Sequence, residues 1–219
     1  MEKIENPSRE HILSRIREAL RAPAPPVDMT PVPLEEIFEP VADVDVLGRF
    51  LAECQTNLME AVVTANTAES AKRLTGLLTA LPEGEIFLQD APAIREIAKP
   101  LEGKRSLRWS TEGAPGESCQ ATVTLAEAFV AQTGSVLSSS NCGGRGASVV
   151  PPTHIVYGGT SQIVPDVTAA LRLVNEKGLP EQSSYVGLIS GSSRTADIEK
   201  ILVQGAHGPR RLVVILQRE

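Results

Sequence analysis

The segment AVVTANTAESAKRLTGLLTALPEGEIFL, residues 61 to 88, contains the two apolar patterns of an α/β fold, the short runs of strands and the repeat of an amphipathic helix. Its two ends, AVVTA and EIFL, are short apolar runs typical of buried strands. Between them Thr67 is predicted to cap a helix whose apolar residues share one face. These residues are Ala71, Leu74, Leu77, Leu78 and Leu81. A strand, a helix and a second strand in this order favour parallel pairing, because parallel neighbours need a long connection.

The same alternation continues on the carboxyl side of this segment. A short helix around Ile94 and Ile97 is predicted next, and SLRW, residues 106 to 109, has the pattern of a third strand. Repeated alternation of strands and helices is typical of a mostly parallel sheet with helices covering both faces. The sequence therefore predicts an α/β protein with a three-layer α/β/α sandwich.

The last third of the chain repeats this alternation. HIVYGG (154 to 159), YVGLIS (185 to 190) and RLVVIL (211 to 216) are predicted strands, and a short helix is predicted from Thr195. VPDVTAALRLVNEKG, residues 164 to 178, has helical periodicity. Its predicted inward residues are Val164, Val167, Leu171 and Val174. The sheet is thus expected to take strands from both halves of the domain.

The middle of the chain departs from the alternation. ATVTLAEAFVAQTGSVLSSS, residues 121 to 140, contains two or three strand-like runs without room for a full helix between them. Strands joined by short connections pair antiparallel. Part of the sheet is therefore predicted to be antiparallel here.

Residues 1 to 33 are predicted to lie outside the α/β domain, which is expected to cover residues 34 to 219. Ser8 is placed to cap an amphipathic helix. The apolar residues of this helix are Ile12, Leu13, Ile16 and Leu20. The following run, APAPPVDMTPVP at 22 to 33, is proline-rich and reads as a stiff linker. The helix is available to fold back on the domain or to bind a partner.

Composition excludes several classes of protein. The formal net charge is −6, and the chain has one Trp, two Tyr and four Phe. It therefore lacks the basic field and the stacking rings that nucleic-acid binding requires. The polar start MEKIENPSRE and the absence of a long apolar run predict neither a signal peptide nor a membrane span, and a cytoplasmic location is expected.

Cysteine spacing argues against a metal centre. Cys54, Cys119 and Cys142 are far apart in sequence and form no C-x-x-C pair. A zinc or iron–sulfur site needs several thiolates brought close together. We therefore expect this chain alone to bind no metal and no cofactor.

The first candidate site is SGSSRTADIEKILVQGAHGP, residues 190 to 209. Successive amides with small side chains, a helix start and an arginine together suit a carboxylate or phosphate. The residues assigned to ligand binding are Ser190, Ser192, Arg194 and Thr195. The alternative is a plain connection, in which Thr195 caps the helix and Asp197 and Glu199 supply the charge that its dipole favours.

The second candidate site is QTGSVLSSSNCGGRGASVVPPTHIV, residues 132 to 156. Thr133, Gly134 and Ser135 form a polar turn, and Arg145 lies on a glycine-rich loop that can approach a ligand closely. These four residues are therefore also assigned to ligand binding. The alternative is a hairpin with a glycine-rich tip and a solvated Arg145.

Two histidines are candidates for proton transfer. His154 and His207 lie beside the two candidate sites, and imidazole is an acid or base near neutral pH. The alternative is a hydrogen-bonded structural histidine at each position. The chain has no H-x-x-x-H spacing, no G-x-S-x-G, no Walker loop and no G-x-G-x-x-G after a strand.

Four motifs resemble the lactate utilisation protein C family, also called the LUD domain. They are AFVAQTGSVLSSS, GGRGASVVPPTHIV, IVPDVTAAL and SGSSRTADIEKILVQGAHGPRRLVVIL, in this order, within residues 120 to 219. The resemblance implies a fold similar to glucosamine-phosphate deaminase, ribose-phosphate isomerase and the CoA-transferases. It also implies a part in oxidising L-lactate to pyruvate together with two iron–sulfur partner proteins, so that the iron–sulfur clusters belong to the partners.

Gln132 is a departure from this pattern. Many members of the family have Glu at this position, and the related CoA-transferases use a glutamate as nucleophile. A glutamine amide is neither a carboxylate nucleophile nor a general base. Glu127 is the nearest carboxylate in the sequence.

Three hypotheses about function follow. The first is a cytoplasmic subunit of a lactate-oxidising system, with a small-anion or cofactor pocket in which Arg145 and Arg194 neutralise a carboxylate or phosphate. The second is a stand-alone enzyme that acts on a sugar phosphate or an acyl-CoA. The third is a non-catalytic assembly subunit that docks through its N-terminal helix.

Overall fold

The computed structural model describes residues 7–21, 45–192, 194–196, 202–204 and 208–219. The chain divides into two compact units, Met1–Pro40 and Val41–Glu219. Residues 22 to 33, predicted to be a linker, and the predicted domain boundary lie outside the described residues. Every helix in the described ranges is too short or too polar to span a lipid bilayer.

The first unit contains one described helix, α1 (Pro7–Ala19). The helix begins at Pro7, so Ser8 lies inside the first turn and the prediction that it caps the helix is wrong. Proline suits the first helical position because the amide hydrogen it lacks has no partner there. The apolar residues Ile12, Ile16 and Leu20 are exposed.

The second unit contains five helices and twelve strands in its described residues. The helices are α2 (Val46–Thr56), α3 (Thr67–Thr79), α4 (Pro92–Ala98), α5 (Val167–Glu176) and α6 (Leu179–Gln182). The strands are β1 (Glu60–Thr64), β2 (Glu85–Leu88), β3 (Ser106–Trp109), β4 (Cys119–Leu125), β5 (Ala128–Val130), β6 (Ser135–Ser139), β7 (Thr153–Gly159), β8 (Ile163–Val164), β9 (Val186–Ile189), β10 (Arg194–Ala196), β11 (Leu202–Gln204) and β12 (Arg211–Gln217).

The main sheet has six strands in the order β1-β12-β7-β4-β2-β3, and every neighbouring pair is parallel. It contains the predicted strands AVVTA, EIFL, SLRW, HIVYGG and RLVVIL. Helices α3 and α4 pack on one of its faces through a buried apolar cluster that includes Leu74, Ile94 and Val213. The predicted α/β/α class and its mostly parallel sheet are therefore confirmed.

The opposite face of the main sheet is covered by α2 and by a second, smaller sheet. This sheet has the order β8-β5-β6-β9, with antiparallel pairs β5–β6 and β6–β9. Phe129 of β5 contacts Phe50 of α2 edge to face, with ring centroids 5.5 Å apart. The far side of the small sheet packs against α5 and α6 through residues such as Leu137 and Val174. The antiparallel pairing predicted for residues 121 to 140 is thus present, but in a separate sheet, which also holds the predicted strand YVGLIS.

The cap of helix α3 is Asn66, one residue before the predicted cap Thr67, so that prediction is wrong by one position. The side chain of Asn66 accepts a hydrogen bond from the Glu69 amide at 3.0 Å, and Thr67 is the first helical residue. The Glu69 carboxylate accepts in return from the Ala65 amide at 2.7 Å. Asparagine is among the strongest N-cap residues, so it takes the cap from its neighbour Thr67.

The inward face predicted for residues 164 to 178 is partly wrong. Helix α5 begins at Val167 and is capped by Asp166, while Val164 belongs to β8. Val174 is buried as predicted, but Leu171 is 57% exposed. The buried partner of Val174 is Ala170, four residues before it, because residues at this spacing share one helix face.

The short helix predicted from Thr195 is also wrong. Residues Arg194–Ala196 form β10, which pairs antiparallel with Leu202–Gln204 in β11. A short apolar run such as ILV at 201 to 203 fits a helix and a strand equally by periodicity. The helix start proposed for an anion at this position is therefore not present.

We expect Phe129→Ala to lower the free energy of unfolding by about 3–5 kcal/mol, because it removes a fully buried ring between the two sheets. Urea unfolding followed by circular dichroism measures this change. The control Leu171→Ala removes an exposed side chain and is expected to change stability by no more than about 0.5 kcal/mol. Equal losses for the two variants would contradict the packing described here.

Candidate functional site

A depression of about 380 Å³ lies where β2 and β3 end. Gln89 and Asp90 follow β2 directly and Ser110 follows β3, and all three line it. The other lining comes chiefly from residues 140–146, which we call the glycine-rich loop. Ligands of parallel α/β sheets bind beyond the carboxyl ends of the strands, so this depression, the glycine-loop pocket, lies where the fold favours a site.

One interpretation of the sequence predicted that the glycine-rich loop is the tip of a hairpin, and this is wrong. The loop follows β6 of the small sheet and leads to β7 of the main sheet, so the two flanking strands do not pair. Gly143 and Gly144 have φ of +85° and +89°, which are left-handed values that side chains disfavour. The loop can therefore turn sharply above the sheet edge only because glycines occupy these two positions.

Gln89 fastens the loop to the sheet edge. Its side-chain amide donates to the Asn141 carbonyl at 3.1 Å, and its side-chain oxygen accepts from the Leu125 amide at 2.7 Å. One side chain thus bridges the ends of β2 and β4 and the start of the loop. Glutamine suits this role because it offers a donor and an acceptor on one planar group.

Glu127 anchors the other side of the same loop. Its carboxylate accepts from the Ser139 hydroxyl at 2.7 Å and pairs with the Lys177 ammonium at 3.0 Å. The Ser139 oxygen in turn accepts from the Asn141 amide at 3.1 Å. Burial acts to raise the pKa of Glu127, but the Ser139 hydrogen bond and Lys177 outweigh it and hold that pKa below its usual range. The carboxylate is therefore charged at neutral pH and serves as a fixed acceptor.

Arg145 lies on the rim of the glycine-loop pocket. Its guanidinium donates to the hydroxyl of Ser184 at 3.2 Å through Nε and to the carbonyl of Ser184 at 2.9 Å through Nη2. The Ser184 amide donates to the Ser140 hydroxyl at 2.9 Å, which ties this contact back to the loop. These bonds use two of the five N–H groups of a guanidinium. Within the described ranges the other three make none.

Asp90 contributes a negative charge to the lining. Its carboxylate accepts from Arg95 Nε at 2.6 Å and from the Thr111 hydroxyl at 3.2 Å. The Arg95 guanidinium lies over the Trp109 ring at 4.3 Å from its centroid. The hydrogen bond from Arg95 is the main cause that lowers the pKa of Asp90. Asp90 is therefore ionised at neutral pH and held in one orientation.

A second group of predicted residues comes together elsewhere. The hydroxyls of Thr133 and Ser135 are 2.7 Å apart, and those of Ser135 and Ser190 are 2.6 Å apart. The Asn57 side chain donates to the Thr133 carbonyl at 2.8 Å. Gly134 has φ of +58°, and a Cβ there would lie 2.7 Å from the Glu53 carbonyl carbon. These residues join β6 and β9 to the end of α2 and do not line the glycine-loop pocket.

The remaining residues of the first candidate site are only partly described. Ser192 is half-buried, and Arg194 and Thr195 belong to β10, although their side chains are not described. His207 lies outside the described residues. The structure therefore places Arg145 at the pocket, while the Arg194 side chain lies outside the part of the chain that it describes.

His154 is buried between strands instead of facing the pocket. Its Nε2 is 2.9 Å from the Thr124 hydroxyl, and its Nδ1 has no partner among the described residues. Burial lowers the pKa of His154 to about 4. The ring is therefore neutral at neutral pH.

Gln132 has a structural contact. Its side-chain oxygen accepts from the Val167 amide at 3.3 Å, and its backbone N–H donates to the Pro165 carbonyl at 2.9 Å. The side chain thus helps to begin α5. It does not line the glycine-loop pocket.

The described residues contain no group of three or more His, Cys, Asp or Glu side chains placed to hold a metal ion. Cys54, Cys119 and Cys142 are buried free thiols. Burial raises the pKa of each thiol, that of Cys54 to about 12. Each is therefore in the protonated form, which is a poor metal ligand.

The fold defines the class, an α/β protein with a parallel main sheet, and comparisons with known proteins identify the domain. The LUD domain model matches residues 115–217. A DUF162 family protein from Deinococcus radiodurans has the same fold, with a TM-score of 0.61 at 19% identity, over 85% of this chain and 99% of that one.

Curated relatives carry the match over most of the chain. "Lactate utilization protein C" of Bacillus subtilis is 31% identical over 65% of this chain and 69% of its own length. The protein of that name from Anoxybacillus flavithermus is 26% identical over 94% of this chain and 96% of its own length. An uncharacterized protein of Neisseria meningitidis is 38% identical over 68% of this chain. The chain belongs to the lactate utilisation protein C family.

Several pocket residues were not identified from the sequence. Gln89, Asp90 and Ser110 stand directly after predicted strands, which is where parallel sheets bind ligands, and this position was the available signal. Ser184 gives no such signal, because its contact with Arg145 joins residues 39 positions apart.

We expect stability to fall between pH 6.5 and pH 4 in part because of His154. Its pKa is about 4 in the folded protein and 6.5 in the unfolded chain. As the pH falls through this range, the unfolded chain takes up a proton that the folded chain excludes. The free energy of unfolding then decreases by up to about 3 kcal/mol.

Urea unfolding of wild type and His154→Gln at several pH values measures this effect. The variant is expected to show a shallower decline between pH 6.5 and pH 4, whatever its stability at pH 7. The control His11→Gln, at an exposed position of α1, is expected to keep the wild-type decline. Parallel curves for wild type and His154→Gln would rule out this contribution.

Proposed function

We propose that this protein is a subunit of a lactate-oxidising system and that its glycine-loop pocket binds the carboxylate of L-lactate. The names of its relatives supply the substrate, and the pocket supplies a place for it. The observation that carries the proposal is the position of Arg145 on the pocket rim with three N–H groups available. A guanidinium pairs with a carboxylate through two parallel hydrogen bonds, which fixes orientation as well as charge.

The backbone of the glycine-rich loop supports the same role. Within the described ranges the amides of Gly143, Arg145 and Gly146 make no hydrogen bond. Donors on a glycine-rich turn are close enough to a ligand for direct contact because no side chain intervenes. The loop therefore offers a carboxylate both a charged side chain and neutral donors.

Oxidation of lactate also requires an acceptor for two electrons. We propose that partner proteins carry the iron–sulfur clusters that accept them, as the family resemblance implies. The buried, protonated thiols of this chain suit packing better than cluster ligation. This protein would then contribute substrate binding, and the partners would contribute electron transfer.

Two further candidate functions each have one supporting observation. The glycine-loop pocket is larger than a three-carbon acid requires, which favours a stand-alone enzyme for a sugar phosphate or an acyl-CoA. The exposed residues Ile12 and Ile16 on α1, with Leu20 directly after it, favour an assembly subunit. Both alternatives make different predictions from the lactate pocket.

We expect Arg145→Gln to weaken L-lactate binding at least about tenfold, because it removes the charge that pairs with the carboxylate. Isothermal titration calorimetry with the full chain measures the affinity. Arg172→Gln removes an exposed arginine of α5 and is expected to bind L-lactate as the wild type does. Equal affinity of Arg145→Gln and wild type would contradict the proposal, and tighter binding of glucose 6-phosphate or acetyl-CoA would favour the stand-alone enzyme.

The assembly hypothesis predicts that the apolar residues of α1 are needed for complex formation. Ile12→Glu combined with Ile16→Glu would place charges on the exposed apolar positions and is expected to abolish co-purification with the iron–sulfur partners. Ser14→Glu adds a charge at another exposed position of the same helix and is the matched control. If the double variant co-purifies as the wild type does, α1 is not the docking element.

A further inference from the structure

The glycine-loop pocket has two chemically different parts. The loop part carries Arg145 and backbone amides, all of which donate hydrogen bonds. The part at the strand ends carries Asp90 and Ser110. A ligand that satisfies both parts needs an anionic end and a hydrogen-bond donor.

We infer that Asp90 determines specificity, so that the pocket selects a 2-hydroxy acid over the corresponding 2-keto acid. The inference rests on the proposed function, because it assumes that the carboxylate of the ligand is bound near Arg145. An ionised carboxylate only accepts hydrogen bonds. It pairs with a hydroxyl, which donates, and it repels a ketone oxygen, which only accepts.

Asp90 has acceptor capacity left for a ligand. Arg95 bonds to Oδ1 and the Thr111 hydroxyl bonds to Oδ2, so each oxygen has one described partner. Each carboxylate oxygen has two lone pairs. One acceptor position therefore remains on each oxygen.

The orientation of Asp90 is fixed by its surroundings. Arg95 pairs with it from α4 and is itself stacked on Trp109 of β3. The Asp90 amide donates to the Ser110 hydroxyl at 2.9 Å, which joins the ends of β2 and β3. The Asp90 side chain is 22% exposed, so it still reaches the pocket. A fixed acceptor discriminates better than a mobile one, because it cannot turn away from an unfavourable ligand.

The expected order of affinity follows from the chemistry at the second carbon of the ligand. The hydroxyl of L-lactate donates a hydrogen bond to Asp90. Propionate has no polar group at this carbon, and pyruvate presents a ketone oxygen to the negative charge of Asp90. A site built to bond a hydroxyl disfavours an analogue that lacks it, because the free acceptor position on Asp90 then receives no donor from the ligand. The oxidised product would therefore leave more readily than the substrate.

Titration calorimetry of the wild-type chain with four acids tests this order without any substitution. The acids are L-lactate, 2-methoxypropionate, propionate and pyruvate. The methoxy compound keeps the carboxylate and the oxygen but has no proton to donate. L-Lactate is expected to bind at least about tenfold more tightly than pyruvate and than the methoxy compound.

Asp90→Asn is expected to remove or reverse the preference for lactate over pyruvate. The asparagine side chain has an NH₂ group, which can donate a hydrogen bond to the ketone oxygen of pyruvate. Glu96→Gln is the matched control. It removes one negative charge from the same helix as Arg95, at an exposed side chain paired with Lys99. It is expected to keep the wild-type preference.

Four outcomes separate the two claims. A lactate preference that Asp90→Asn loses and Glu96→Gln keeps supports the inference. Equal binding of lactate, pyruvate and the methoxy compound by the wild type overturns the inference. A lactate preference that persists in Asp90→Asn also overturns it. In both cases the proposal that the pocket binds a carboxylate is unaffected. If none of the four acids binds, the proposed function fails and the inference fails with it.

Discussion

Parallel pairing of all six strands in the main sheet is the constraint from which the rest of the molecule follows. It places every strand's carboxyl end at one edge, so the residues after β2, β3 and β4 meet there although they are far apart in sequence. It also forces long connections, and these supply α3 and α4 on one face and the small sheet on the other, where α2, which precedes β1, also packs. The glycine-loop pocket is lined by residues at this edge and by the loop that connects β6 to β7.

The small sheet makes that connection rigid. Glu127 lies between β4 and β5. Its carboxylate bonds to Ser139, directly before the glycine-rich loop, and to Lys177 at the end of α5, and so joins the small sheet to both. A half-buried carboxylate costs desolvation, and here two hydrogen-bond donors on different elements compensate. The loop that carries Arg145 is thereby held at three points, by Gln89, by Glu127 and by Ser184.

The sequence predicted the main sheet well because its strands are short apolar runs separated by helices with clear periodicity. It did not predict the division into two sheets, since strand pairing at a distance leaves no local pattern. It also predicted a helix where β10 and β11 pair, because a three-residue apolar run is ambiguous. Of the candidate site residues, Arg145 lies at the pocket, whereas His154 is buried between strands. Asp90 was not identified because its position at the pocket depends on which strand ends lie together.

The central claim is that a carboxylate binds in the glycine-loop pocket beside Arg145. A crystal structure of the full chain with L-lactate tests it most directly. The account predicts density for lactate there, with its carboxylate within hydrogen-bond distance of the Arg145 guanidinium and its hydroxyl toward Asp90. Lactate bound elsewhere, for example at the Thr133, Ser135 and Ser190 hydroxyls, with the glycine-loop pocket left to solvent, would contradict it.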